Sequence, residues 1–137
     1  MKKAILSFAL ILFLSACRKP LPERILGVWE NTKTCGAEGN CRYPNPALGP
    51  SKLTVLENGL ALYADPELEG PNKGKEFHIE YLLEEENTKS KSPELVFRFL
   101  NLGFEIRYVI AKSDEEELEL FNPKKENTET YRRVGKK

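Results

Sequence analysis

The chain has 137 residues, 40% of them hydrophobic and 31% charged, with 21 basic against 21 acidic side chains. That length supports one domain with a single modest core and excludes a second. A balanced charge with no basic stripe argues against nucleic acid as a partner.

Met1-Lys2-Lys3 is a short basic start, and Ala4 to Leu14 is apolar apart from Ser7. A basic start, an apolar stretch of about 7–15 residues and small residues before a cleavage point make a secretory signal, too short to persist as a membrane span. The four residues Leu14-Ser15-Ala16-Cys17 resemble the bacterial lipobox. The resemblance implies cleavage before Cys17 and acylation of that residue, palmitate being one of the chains attached. Residues 1–16 are then a lipoprotein signal peptide, 17–23 a lipidated tether and 24–137 the folded domain. Several acyl chains, at about 0.8 kcal/mol per buried methylene, hold a protein on a membrane without a transmembrane helix. Arg18, where an aspartate would retain the protein, points by the same resemblance to the outer rather than the inner membrane. The expected location is therefore the bacterial cell envelope, periplasmic or surface-facing. Taking Lys2 and Lys3 from the 21 basic residues leaves 19 against 21 acidic ones.

After the leader no helix is expected, and short alternating runs recur between turn signals. Gly27 to Lys33 is the first predicted strand and holds the only tryptophan, Trp29. A long loop over 34–50 follows, containing "CGAEGNC" and then "RYPNPALGPS", whose three prolines forbid a central strand. With Cys17 acylated, Cys35 and Cys41 are two remaining thiols in an exported chain, which predicts a disulfide. Gly36 and Gly39 between them let the chain turn back. A zinc site would need more Cys or His ligands than His78 supplies, so neither metal nor cofactor is expected.

Lys52 to Glu57 and Leu60 to Ala64 flank Asn58-Gly59, a strong hairpin signal. In Glu76 to Glu84, Phe77, Ile79, Tyr81 and Leu83 share one face, with His78, Glu80 and Glu84 opposite. Glu94 to Leu100 puts Leu95, Phe97 and Phe99 together, and Phe104 to Ala111 does the same with Phe104, Ile106, Tyr108 and Ile110. Glu116 to Phe121 and Thr128 to Val134 bring the total to eight strands. An eight-stranded meander with one apolar face loses both unpaired edges by closing on itself. The predicted fold is all-β, an eight-stranded antiparallel up-and-down barrel whose interior is just wide enough for side chains or one small ligand.

A Gly-x-Trp in the first strand of such a meander, with "ETYRRV" in the last, resembles the lipocalins and their wider calycin relatives, and the bacterial lipocalin-like lipoproteins among them. The resemblance implies that Trp29 plugs one end of the barrel behind Gly27. A terminal arginine lies across the plug, Arg133 by preference and Arg132 as the alternative. Avidins also begin with Gly-x-Trp-x-Asn, matched here by Gly27, Trp29 and Asn31. They pack biotin with further tryptophans that this chain lacks. Bacterial metalloprotease inhibitors share the small barrel and one disulfide, but their inhibitory N-terminal segment would here be tied to lipid.

Catalytic chemistry is not expected. His78 falls on a polar strand face, the serines fall in loops, the thiols are paired, and no nucleotide-binding motif appears. Two functions from different classes remain. One is a lipid-anchored, non-catalytic binder of a small hydrophobic ligand, lined by Phe77, Tyr81, Phe97, Phe99, Ile106 and Tyr108. The other is a protein-interaction or envelope-structural module, inhibitor-type included, that uses the stapled loop 34–50 on an envelope or extracellular partner.

Overall fold

The computed structural model describes residues 18–85 and 92–136. The expected signal peptide, Cys17 with its expected acylation, and residues 86–91 lie outside the described residues.

The chain opens with one helical turn, α1 (Leu21–Arg24), and continues into β1 (Gly27–Gly36), β2 (Cys41–Arg42), β3 (Lys52–Val55) and β4 (Leu60–Ala64). Then follow β5 (Glu76–Glu84), β6 (Glu94–Phe99), β7 (Phe104–Ser113), β8 (Glu117–Asn122) and β9 (Asn127–Gly135). From β3 to β9 each strand pairs with the next, and β1 pairs with both β3 and β9. Every pairing is antiparallel, so these eight strands form a closed barrel with no free edge. The two-residue β2 folds back on the end of β1 and stands outside the wall.

Alternation along the strands decides what fills the barrel. Trp29, Leu53, Ala61, Ile79, Leu95, Leu118 and Leu120 point inward and are almost wholly buried. Full burial of one such aliphatic side chain stabilises by about 1.5–3 kcal/mol, and these seven meet in one continuous core.

Three features depart from the expectation. First, β1 runs three residues beyond Lys33, because β9 offers partners as far as Asn127 on one side and β2 pairs on the other. Second, the register with β9 slips between Asn31 and Lys33, so Thr32 is a bulge residue. The bulge reverses the alternation and brings Thr34 opposite Glu129 and Gly36 opposite Asn127. Third, part of the expected tether is folded onto the barrel. Pro20 precedes α1 and Pro22 sits in its first turn, a position where a missing N–H costs nothing. Arg24 donates to the Ser113 carbonyl at 2.6 Å, and Lys19 pairs with Glu115 at 3.7 Å, so this segment packs against the β7–β8 turn.

Candidate functional site

The two ends of the barrel are built differently. One end is sealed by Trp29, which is completely buried and donates its indole N–H to the Ile25 carbonyl at 2.8 Å. Arg133 is the cross-strand neighbour of Trp29, and its guanidinium carbon lies 4.1 Å from the ring centroid. Its Nη2 donates to the Arg24 carbonyl and its Nε to the Glu115 carbonyl, both at 2.6 Å, while Nη1 donates to the Leu26 carbonyl. A single turn of helix leaves its last carbonyls without internal partners, and here Trp29 and Arg133 satisfy them.

Gly27 has φ +125, and a Cβ there would lie 2.5 Å from Arg133 Nη1 and 2.8 Å from the Gly135 carbonyl. The glycine of Gly-x-Trp therefore makes room for the guanidinium that covers the indole. Arg132 faces the other way, exposed on the outer row between Glu30 and Glu117.

The opposite end is open. A cavity of about 570 Å³ enters it, lined by Asn31, Thr34, Tyr63, Asp65, Asn127 and Glu129 in its walls and by Asn40, Arg42, Tyr43 and Glu67 at the rim. The rim owes its shape to cross-links. Cys35 and Cys41 are joined by a disulfide with Cα atoms 4.0 Å apart. Arg42 pairs with Glu67 at 3.3 Å, and the same carboxylate accepts the Asn45 backbone N–H at 2.9 Å. The β1–β3 loop is thus tied to the β4–β5 loop across the mouth.

Below the rim three tyrosines surround carboxylates. Tyr131 donates its hydroxyl to Glu129 Oε2 at 2.6 Å, Tyr108 donates to Oε1 at 3.1 Å, and Tyr63 lies 3.5 Å from Asp65 Oδ2. Burial, with the Asp65 and Glu129 charges adding to it, pushes the Tyr63 phenol up to about 12. Burial likewise raises Tyr108 and Tyr131 well above the usual phenol range, Glu129 being the next contributor. All three hydroxyls are protonated donors near neutral pH. Asn127 presents a buried Oδ1 with no hydrogen-bond partner among the described residues.

Of the six residues expected to line a ligand chamber, none borders this cavity. Phe97 and Tyr108 are core residues whose rings meet edge-on at 5.8 Å, and Ile106 packs beside them. Tyr108 reaches the mouth only through the hydroxyl it gives to Glu129. Tyr81 belongs to the sealed half and donates to the Leu56 carbonyl at 2.6 Å. Phe77 and Phe99 make an edge contact at 6.3 Å and border a separate recess of about 270 Å³. The rings expected to line one chamber are therefore spread between the core and two other surface recesses, one bordered by Phe77 and Phe99 and one by Tyr81 beside Arg133, while the mouth is walled by polar residues. His78 is exposed, 3.9 Å from Glu76. Among the described residues no three His, Cys, Asp or Glu side chains converge as a metal site would require.

Sequence reasoning missed Glu129, Tyr131, Tyr63, Asp65 and Asn127. One signal was available. With Arg133 facing inward, the period of two along β9 turns 131, 129 and 127 inward as well.

No protein-family model matches the sequence, and no curated protein does. The structure is similar to the crystal structure of a lipocalin-like protein from Bacteroides uniformis ATCC 8492, with a TM-score of 0.59 and 12% sequence identity over 81% of this chain and 99% of that one. At that identity the likeness is one of fold, and the fold is lipocalin-like.

Proposed function

We propose that this protein is a lipid-anchored, non-catalytic component of the bacterial cell envelope that holds a small molecule in the open mouth of its barrel. The observation that carries the reading is the cavity of about 570 Å³ at one end of a barrel whose other end is sealed. That size falls within the roughly 300–1,000 Å³ range of small-molecule sites. The lipocalin-like fold supports the reading without naming a ligand. The wall chemistry favours a polar occupant over a purely hydrophobic one. Anchoring rests on the lipobox at Leu14–Cys17, with the outer membrane the expected destination.

Native mass spectrometry of protein purified from its own envelope tests the binding: an added mass that leaves on mild activation is expected. A bare polypeptide in every charge state would refute it. Anchoring is tested by metabolic labelling with palmitate, where Cys17→Ala should abolish incorporation and release the protein from membranes. Label retained in the variant would contradict the anchor.

A second reading is favoured by the exposure of Tyr43 (66%) and Leu48 (52%) on the stapled loop. In it, loop 34–50 meets an envelope or extracellular protein. Leu48 does not border the cavity, so Leu48→Asp would separate the two readings: the added mass should survive it if the ligand is held by the cavity walls.

A further inference from the structure

We infer that the mouth cavity takes an organic ammonium ligand and that Glu129 supplies the opposite charge. This rests on the small-molecule reading above and adds the chemistry of the ligand.

The hydroxyl protons of Tyr108 and Tyr131 are committed to Glu129, and that of Tyr63 faces Asp65. A carboxylate has about four acceptor positions. Glu129 therefore keeps capacity on both oxygens after accepting two hydroxyls. The buried Oδ1 of Asn127 accepts nothing among the described residues. Thr34 and Asn127 also bring a hydroxyl and an amide NH2 to the wall, but its charged groups, Glu129 and Asp65, are acceptors, and their complement is a charged N–H donor.

Charge points the same way. Arg42 is held by Glu67 at 3.3 Å on the rim, and Lys125 is an exposed rim residue. Glu129 and Asp65 have no cation against them among the described residues, while the phenols beside them stay neutral because burial and those same carboxylates oppose their ionisation. An anion entering the mouth would be driven against two carboxylates, whereas a cation would relieve both. The ring of Tyr63 in the wall and that of Tyr43 at the rim add aromatic faces, which attract ammonium groups. The acidic groups do not converge in the manner of metal ligands among the described residues, so a directional N–H donor suits the site better than a bare metal ion.

Isothermal titration of the folded domain with matched compounds tests this. Tyramine is compared with 4-hydroxyphenylacetate and 4-ethylphenol, and 1,5-diaminopentane with glutarate. The amines should saturate, the acids should not, and Glu129→Gln should weaken amine binding by at least about tenfold. The melting temperature of the variant shows whether the fold survives, and the wild-type series needs no variant. If 4-hydroxyphenylacetate or 4-ethylphenol binds as tightly as tyramine, the ammonium assignment is overturned while the small-molecule reading stands. Unchanged tyramine affinity in a folded E129Q protein overturns the role given to Glu129. If neither amine saturates, the ammonium assignment falls; the small-molecule reading falls separately, if envelope-purified protein carries no added mass.

Discussion

The sealed and open ends of this barrel share strands yet satisfy their polar groups by opposite rules. At the sealed end the Trp29 indole takes the Ile25 carbonyl and Arg133 takes three backbone carbonyls and the ring face, while the buried Nε of Arg24 has no partner among the described residues. At the open end the three tyrosine hydroxyls are turned to carboxylates that retain unfilled acceptor positions. A cluster whose donors meet backbone acceptors contributes stability, and a cluster that keeps spare acceptors has room for a donor from outside. The same strand, β9, supplies Arg133 to one and Glu129 to the other.

The largest expected effect comes from alkali, and it originates at the open end. Tyr63 is raised to about 12, and Tyr108 and Tyr131 are raised above their usual range, by burial first. A phenol raised in the folded state contributes stability that is complete below the unfolded value of about 10 and is lost as pH climbs through the folded value. Circular dichroism should hold to about pH 10 and collapse towards pH 12 and beyond, with late tyrosinate absorbance appearing in the same step. Tyrosines that all ionise near 10 with the fold intact would break the account of the mouth.

Next comes the plug itself. Trp29→Ala should cost about 3–5 kcal/mol by chemical denaturation. A loss under about 1 kcal/mol would mean that the indole does not seal the core. Arg133→Ala follows, at about 1.5–3 kcal/mol, since it leaves three carbonyls without their charged donor. Reducing the Cys35–Cys41 bridge, or replacing both cysteines by serine, should cost about 2 kcal/mol, with the loss centred on the rim rather than the floor. Hydrogen exchange that quickens equally at both ends would contradict that division. The smallest effect is Arg132→Ala, within about 0.5 kcal/mol, because that side chain lies on the exposed outer face. Equal losses at 132 and 133 would erase the distinction between them.

Legibility in the sequence followed the same division. The sealed end could be read because Trp29 is the only tryptophan and its partner is one of two adjacent arginines near the C-terminus. The strands could be read wherever aromatic and aliphatic residues alternate without interruption, as in Phe77-x-Ile79-x-Tyr81-x-Leu83. The mouth was hidden for physical reasons. Glu129 lies among Glu126, Thr128 and Thr130, a context that reads as a solvated edge; its burial follows only once Arg133 is known to face inward. The bulge at Thr32 has no local signature, since it arises from the register between β1 and β9 and no glycine marks it. α1 was hidden by its two prolines, and its stability depends on carbonyl partners more than 90 positions away along the chain.

The docking of residues 18–24 has a geometric consequence. Arg18 and Arg24 both reach the Ser113 carbonyl, so residues 18–24 lie at the floor of the barrel rather than at its brim. β1 alone, at about 3.3 Å per residue, runs for roughly 30 Å along its own tilted course from one level to the other. The anchor proposed at position 17 would therefore stand the protein like a goblet on its foot, its bowl turned away from the membrane.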